Sequence, residues 1–203
     1  MVYENVNKFE RVSVFIDGSN FYHSTKNIRQ QGYKIPFQDL IKELIGDRVF
    51  VNAFYYVALL DKDINFEKYE KHRKFLDTLK KISKFKVVLC NLEKIKTKDG
   101  NFVYVVKGDD VQLAHDFLMG AVDNLYDTAI LVSGDADFLP LIKTVRMKYK
   151  KKVGNAYFRS TSSYKLRKAC DFSINLYKII LGIINKKYEA TVLSDDNTER
   201  LTE

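Results

Sequence analysis

The hydrophobic pattern along the chain alternates between two kinds of segment. The first kind is a short run rich in β-branched and aromatic residues, which is typical of a strand buried on both faces. The second kind is longer, and its apolar residues fall three or four positions apart, as on one side of a helix. The predicted strands are 12–16, 49–59, 85–90, 128–132 and 153–158. Because strands and helices alternate, the pattern predicts an α/β protein with a mostly parallel sheet covered on both faces.

The same pattern predicts helices at 19–31, 37–45, 66–83, 110–124, 138–149 and 163–169. Gly32 and Gly46 are expected to end the first two, since glycine favours helix ends. Residues 94–106 predict a β-hairpin, because extended residues flank the turn sequence Asp99-Gly100-Asn101. Residues 171–176 predict either a last short strand or the approach to a terminal helix.

Composition narrows the class of protein. The chain has 203 residues, of which 46% are hydrophobic and 30% charged, as expected for one globular domain. We predict an N-terminal extension over 1–10, the domain over 11–186 and a mobile acidic tail over 187–203. No apolar stretch is long enough for a bilayer, the N-terminus does not resemble a signal peptide, and two cysteines are too few for a disulfide framework. A cytoplasmic location is therefore expected, with no membrane partner.

Two of the predicted strands end in acidic sequences. Asp17-Gly18-Ser19-Asn20 follows the first strand, and Ser133-Gly134-Asp135-Ala136-Asp137 follows the strand at 128–132. Ligands bind at the carboxyl ends of parallel strands, so we expect these acids to form one site across the sheet. Clustered carboxylates repel one another unless a cation lies between them, and hard oxygen ligands suit Mg²⁺ or Mn²⁺.

A third acidic element, Lys107-Gly108-Asp109-Asp110, begins the helix at 110–124. Acids in the first turn of a helix are often caps or partners of the helix dipole. Here Asp110 can also point along the sheet edge toward the other two motifs. Asp116 lies about 120° around the helix from Asp110, so it would line the site from further away or pair locally.

The net charge of the chain favours one class of binding partner. The chain carries a formal charge of +8, with basic residues concentrated in 62–98 and 143–168. A basic surface around an acidic pocket suits a polyanion whose phosphate is handled by a metal ion. Both clusters are also consistent with solvated helix faces. The functional interpretation is stronger for the second cluster, because it follows Asp135 and Asp137 directly in sequence.

Taken in order, the three acidic motifs resemble those of NYN domains, which belong to the PIN-like nuclease superfamily. The resemblance covers about residues 11–171 and is closest to bacterial LabA-like proteins. It implies a three-layer α/β/α sandwich with Rossmann-like topology, and metal-dependent cleavage of RNA. It also implies a catalytic and metal-binding set, with two supporting residues: Asp17, Asp110, Asp135 and Asp137, with Asn20 and Ser133. The family usually has an apolar residue where this chain has Asp109, which is therefore either a helix cap or a residue that shares the role of Asp110.

The chemistry of phosphodiester hydrolysis suggests a role for each of these residues. Asp17 and Asp135 are the best metal ligands, because each ends a strand and has a rigid backbone. Asp110 and Asp137 would complete the metal shell or orient the attacking water. Asn20 is predicted to contact substrate phosphate or a metal-bound water, and Ser133 to donate a hydrogen bond to a carboxylate. Lys107 is either a contact to phosphate or an exposed lysine without a specific role.

The sequence also bears on classes of function other than a nuclease. No phosphate-binding glycine loop is present, so no nucleotide cofactor is expected. His23, His72 and His115 lack the spacing of zinc ligands and are expected to be surface or structural residues. A non-catalytic RNA-binding or regulatory module of the same fold remains the alternative, and a homo-oligomer is left open.

Overall fold

The computed structural model of the chain, which describes residues 9–63 and 65–199, contains one sheet of seven strands. The strands are β1 Arg11–Asp17, β2 Val49–Ala58, β3 Phe85–Lys96, β4 Phe102–Lys107, β5 Thr128–Val132, β6 Lys152–Tyr157 and β7 Phe172–Asn175. Their order is β4-β3-β2-β1-β5-β6-β7. Neighbouring strands run parallel, except that β4 is antiparallel to β3. The predicted mostly parallel sheet is confirmed.

Helices cover both faces of this sheet. Their bounds are α1 Gly18–Ser24, α2 Lys26–Gln30, α3 Phe37–Ile45, α4 Phe66–Lys80, α5 Asp109–Val122, α6 Leu139–Tyr149, α7 Tyr164–Ala169 and α8 Leu176–Glu199. α5, α6 and α7 pack on one face, and α1 to α4 with α8 pack on the other. β1 is buried by both layers, because Val14 and Ile16 join one hydrophobic core and Phe15 the other. The result is the expected three-layer α/β/α sandwich.

Several boundaries differ from the sequence predictions. The helix predicted over 19–31 is divided at Thr25, whose backbone leaves the helical region and whose hydroxyl donates to the carbonyl oxygen of Phe21 at 2.8 Å. β3 continues to Lys96, because its distal half forms the predicted hairpin with β4. Residues 171–176 contain both predicted alternatives, since β7 leads directly into α8.

The ends of the predicted domain lie partly outside the described residues. α8 runs to Glu199, so the tail predicted over 187–203 begins within a helix, and its mobility stays a prediction. Residues 200–203 and the first eight residues of the predicted extension are outside the described residues. Along the part of the chain that the structure describes, no helix is long and apolar enough to cross a membrane.

The topology identifies one position on the sheet as special. β1 has β2 on one side and β5 on the other, and these neighbours are reached through helices on opposite layers. Ile16 pairs with Val132, so β1 and β5 end side by side. Such a switch point opens a crevice at the carboxyl ends of the strands, where ligands of α/β proteins bind. We call this side of the sheet the carboxyl edge and the opposite side the amino edge.

Candidate metal centre

The site begins with Asp17, the last residue of β1. Its side chain is only 6% exposed, and both carboxylate oxygens accept hydrogen bonds. The backbone N–H of Asn20 donates to Oδ1 at 2.9 Å, which caps α1, and the hydroxyl of Ser133 donates to Oδ2 at 2.9 Å. The carboxylate is therefore fixed by one bond from its own helix and one from the end of β5.

Two polar side chains tie the ends of β1 and β5 together. Ser133 donates to Asp17 and also accepts from the backbone N–H of Asp135 at 3.1 Å. The side-chain Oδ1 of Asn20 accepts from the backbone N–H of Gly134 at 3.1 Å. The predicted hydrogen bond from Ser133 to a carboxylate is thus present, and Ser133 is almost fully buried. Contact of Asn20 or Ser133 with substrate stays a prediction.

Glycines occupy both strand ends because the backbone is crowded there. A Cβ on Gly18 would lie 2.3 Å from the carbonyl oxygen of Tyr56. On Gly134 it would lie 2.2 Å from the carbonyl oxygen of Thr161. Since both obstacles are backbone atoms, neither can turn aside as a side chain would. The Asp-Gly and Ser-Gly-Asp sequences therefore reflect close approach at the carboxyl edge.

Asp109 and Asp110 approach Asp17 from the start of α5. A carboxylate oxygen of each of the three residues lies within 4.8 Å of the others. Gly108, with a φ of 80°, is the N-cap residue, and no side chain makes a capping bond there. Asp109 is thus not the N-cap, and it shares the acidic cluster with Asp110.

Asp135 and Asp137 follow β5 in a single 3₁₀ turn at Ala136–Phe138. Asp135 caps this turn, since its Oδ1 accepts from the backbone N–H of Asp137 at 2.9 Å. Asp135 lines the cavity in front of Asp17, and Asp137 is exposed beside it. The structure therefore brings three of the four predicted acids to the cavity wall and leaves Asp137 further out.

The electrostatics of the cluster are unfavourable without a cation. Burial, with the charges of Asp109 and Asp135, raises the pKa of Asp17 although two hydrogen bonds lower it. Partial burial and the neighbouring carboxylates, Asp17 first among them, raise the pKa of Asp110 to about 6. Among the described residues, no lysine, arginine or histidine forms an ion pair with Asp17, Asp109, Asp110 or Asp135. These properties fit a cation-binding site.

The acids face an open cavity of about 260 Å³. Its walls combine carboxylates with small polar side chains and one imidazole, from Asp17, Ser19, Asn20, His23, Ser24, Asp109, Asp110, Asp135 and Thr161. His23 is exposed, as one of the two predicted alternatives had it, and it also lines this wall, a role that its position three residues after Asn20 on the same helix could have indicated. Thr161 carries no local signal, because it comes from the loop after β6, where its hydroxyl lies 2.7 Å from that of Ser24.

Two other candidate residues lie outside the cavity. Asp116 accepts from the hydroxyl of Tyr56 at 3.1 Å and from the side-chain amide of Gln112 at 2.9 Å, so it pairs locally, as one predicted alternative had it. Lys107 ends β4 two residues before Asp109 and does not line the cavity. Its contact with phosphate stays a prediction.

The second basic cluster is divided by the fold. α6 runs from the carboxyl edge back to the amino edge over 11 residues, about 16 Å. The lysines at 148–152 therefore lie at the amino edge, opposite the acids, although they follow Asp135 and Asp137 in sequence. Arg159 lies at the carboxyl edge, in the β6–α7 loop that contributes Thr161 to the cavity. Proximity in sequence to the acidic motif was thus a wrong guide for the lysines at 148–152.

Comparison with known proteins agrees with this geometry. A model of the NYN domain family matches residues 11–177. A crystal structure of a protein of unknown function from Vibrio parahaemolyticus is 26% identical to the chain and superposes with a TM-score of 0.64, covering 84% of this chain and 95% of that one. No curated protein matches the sequence. The matched range contains every acid of the cluster.

Proposed function

Because the chain belongs to the NYN domain family of the PIN-like nuclease superfamily, we propose that it is a ribonuclease that hydrolyses RNA phosphodiester bonds with Mg²⁺ or Mn²⁺. Family membership suggests a nuclease, and the acidic cluster, in which Asp17 is buried, Asp109 half-buried and Asp110 exposed, fits metal binding. The observation that carries the proposal is the approach of the Asp17, Asp109 and Asp110 carboxylate oxygens within 4.8 Å of one another, without a cationic partner among the described residues.

The donor set fits a hard divalent cation. Carboxylate oxygens are the ligands that Mg²⁺ and Mn²⁺ prefer, and the cluster has neither the thiolates nor the imidazole pairs that favour zinc. Asp17, Asp109 and Asp110 would hold the ion, with Asp135 completing the shell and Asp137 beside it. When bound, such an ion supplies Lewis acidity, which lowers the pKa of water and neutralises charge on a phosphate.

The residues of the chain have separate tasks around that ion. Ser133 and the N–H of Asn20 hold Asp17 in one orientation, so little reorganisation is needed when substrate binds. The side-chain nitrogen of Asn20 makes no hydrogen bond within the described part of the chain, so it can donate to a phosphate oxygen. A LabA-like subclass and a cytoplasmic location are further parts of the proposal, drawn from the resemblance and from composition.

The proposal is tested by measuring cleavage of a labelled unstructured RNA with Mg²⁺, with Mn²⁺ and with chelator. We expect cleavage with metal only, and a decrease of about 10²-fold or more in Asp17→Asn and in Asp135→Asn. Asp127→Asn is the matched control, because it removes a carboxylate from the amino edge and leaves the cluster intact. Thermal unfolding of each variant shows whether the fold is retained.

Two outcomes would contradict the ribonuclease proposal. If Asp17→Asn and Asp135→Asn cleave as fast as the parent, the activity lies elsewhere or in a contaminant. If the parent binds RNA but never cleaves it with either metal, the protein is the binding module that the sequence left as the alternative.

A further inference from the structure

The β3–β4 hairpin projects from the carboxyl edge of the sheet. The pairing of β2 with β3 ends at Ala58 and Cys90, and beyond that point β3 pairs with β4 from Asn91 to Lys96. We call residues 91–107 the arm. Because β1 ends at Asp17, opposite Tyr56 and two residues before the end of β2, the arm extends past the edge that carries the acidic cluster.

Strand register divides the arm into two faces of different chemistry. Residues paired across an antiparallel ladder share a face, and successive residues alternate between faces. The pairs Leu92–Val106, Lys94–Tyr104 and Lys96–Phe102 form one face, which contains no acidic residue. The opposite face carries the pairs Asn91–Lys107, Glu93–Val105 and Ile95–Val103. We call the first the basic-aromatic face.

Of the two aromatic rings on this face, that of Phe102 is exposed and that of Tyr104 is half-buried, and one lysine lies over both. The ammonium of Lys94 lies 4.3 Å from the ring centre of Phe102 and 5.8 Å from that of Tyr104. Phe102 is 54% exposed. A cation–π contact at an exposed site is weaker than the stacking of a nucleic-acid base on an aromatic ring. A base can therefore replace the ammonium, which is then free to approach a phosphate.

The basic-aromatic face is continuous with the acidic cluster. Cys90 lies on this face, two residues before Leu92, and its pKa is raised first by burial and then by the charge of Asp109. From Lys107, the end of the arm, one glycine leads to Asp109. Tyr104 is three residues from Lys107, about 10 Å along an extended strand. A strand lying on the face would reach the carboxylates within a few nucleotides.

We propose that the basic-aromatic face of the arm binds single-stranded RNA, with bases stacked on Phe102 and Tyr104 and phosphates contacted by Lys94 and Lys96, and leads the strand to the acidic cluster. The last step rests on the proposed nuclease function, but binding to the arm does not. Stacking platforms beside lysines are the usual means of holding single strands without regard to sequence.

The test measures binding of a fluorescent unstructured 15-nucleotide RNA in chelator, so that cleavage plays no part. The double substitution Phe102→Ala with Tyr104→Ala is expected to weaken binding about tenfold or more. The matched control, Ile95→Ala with Val103→Ala, removes apolar side chains from the opposite face and should remain within about twofold of the parent. Circular dichroism verifies that both variants fold.

A second pair of variants does not depend on the apolar packing of the arm. Lys94→Gln with Lys96→Gln should weaken binding and reduce the slope of log affinity against log salt concentration by about 1.4, since each phosphate contact on a single strand contributes about 0.7. An unchanged slope would show that these lysines do not contact phosphate, and would overturn the proposal.

Three further results would overturn the proposal. The first is that the parent binds no single-stranded RNA, and the second is that the aromatic double variant binds it as tightly as the control variant does. The third is that the aromatic variant loses as much affinity for duplex RNA as for single-stranded RNA, because the bases of a duplex are not free to stack on the rings. A change in sedimentation of the aromatic variant alone, with RNA affinity retained, would identify the face as a contact between copies of the chain. If RNA binding follows the proposal but the parent never cleaves with Mg²⁺ or Mn²⁺, only the nuclease function fails.

Discussion

The two edges of the sheet use aspartate in opposite ways. At the amino edge, Asp127 accepts from the backbone and side chain of Arg11 at 2.7 to 3.1 Å and lies near Lys151. Arg146 pairs with Asp171 at the same edge, and Lys152 with Glu10. At the carboxyl edge, Asp17, Asp109 and Asp110 lie against one another with no cation among the described side chains.

The pKa values express this difference. The hydrogen bond from Arg11 lowers the pKa of Asp127 to about 2, whereas burial and neighbouring carboxylates raise that of Asp110 to about 6. The charge of Asp127 therefore stabilises the fold, and the charge of Asp110 opposes it. Asp127 and Asp171 at the amino edge are thus each paired with a basic side chain, whereas the acids that converge where β1 and β5 end have no such partner among the described residues. This contrast, more than the presence of acids, is the reason for proposing that the carboxyl edge carries the function.

The largest effect is expected from a substitution that disrupts the close packing of backbone segments at the carboxyl edge. In Gly134→Ala the new Cβ would meet the carbonyl of Thr161, and neither backbone segment can move without displacing Ser133 or the cavity wall. We expect a loss of about 2–4 kcal/mol in the free energy of unfolding and little remaining Mn²⁺ binding. Urea unfolding and calorimetric titration measure the two effects.

Gly182→Ala is the matched control for that substitution. A Cβ at Gly182 meets nothing within 4 Å, and alanine favours a helix over glycine. The control should be as stable as the parent or more so, with unchanged metal affinity. Equal behaviour of the two variants would mean that the packing of Gly134 does not organise the carboxyl edge.

The next largest effect concerns the contribution of Asp109 to metal binding by the acidic cluster. Asp109→Asn and Asp110→Asn each remove one of the three converging carboxylates, so each should weaken Mn²⁺ binding about tenfold or more. Asp116→Asn, on the same helix, removes a carboxylate that bonds to Tyr56 and Gln112 and should leave the affinity nearly unchanged. If Asp109→Asn binds Mn²⁺ as tightly as the parent does, Asp109 is not a metal ligand, and fewer carboxylates bind the ion than the geometry of the cluster suggests.

The sequence could predict a site residue where neighbouring residues in the chain indicate its position, and could not where tertiary packing alone determines it. Asp17 and Asp135 were found because an apolar run followed by an acid marks a strand end, and parallel strands end at one edge. Asp109 was left undecided, since helix phase cannot be read within one residue of a helix start. Thr161 was missed, because its place depends on how the loop after β6 packs on Gly134.

The basic clusters show the same limit. A helix returns the chain to the other edge of the sheet, so residues that follow an acidic motif directly in sequence are not thereby near it in space. The sequence predicted the hairpin over 94–106 but not its register. The pairing of β3 with β4 in the structure is needed to tell which lysines share a face with Phe102 and Tyr104.

A smaller effect is expected at the amino edge. Asp127→Asn weakens the contacts of Arg11 and Lys151, at the cost of about 1 kcal/mol in the free energy of unfolding because the pair is partly exposed. Since the folded-state pKa of Asp127 lies below its ordinary value, this contribution is present above about pH 4 and is lost as pH falls toward 2. Urea unfolding of parent and variant across that range measures it. A difference that persists undiminished at pH 2 would show that charge is not its source.

The smallest effect has the opposite sign and lies at the carboxyl edge. The folded metal-free protein binds a proton at Asp110 more tightly than the unfolded chain does, so its stability declines as pH rises from about 4 to about 6. Asp110→Asn removes that penalty, and at pH 7 without metal we expect its melting temperature to exceed that of the parent by about 1–3 °C. Near pH 4 the two should converge. Added Mn²⁺ should stabilise the parent more than the variant, because only the parent retains the full set of ligands. A variant that melts below the parent at pH 7 without metal would mean that the carboxylates of this edge support the fold like those of the amino edge, and the contrast between the two edges would not hold.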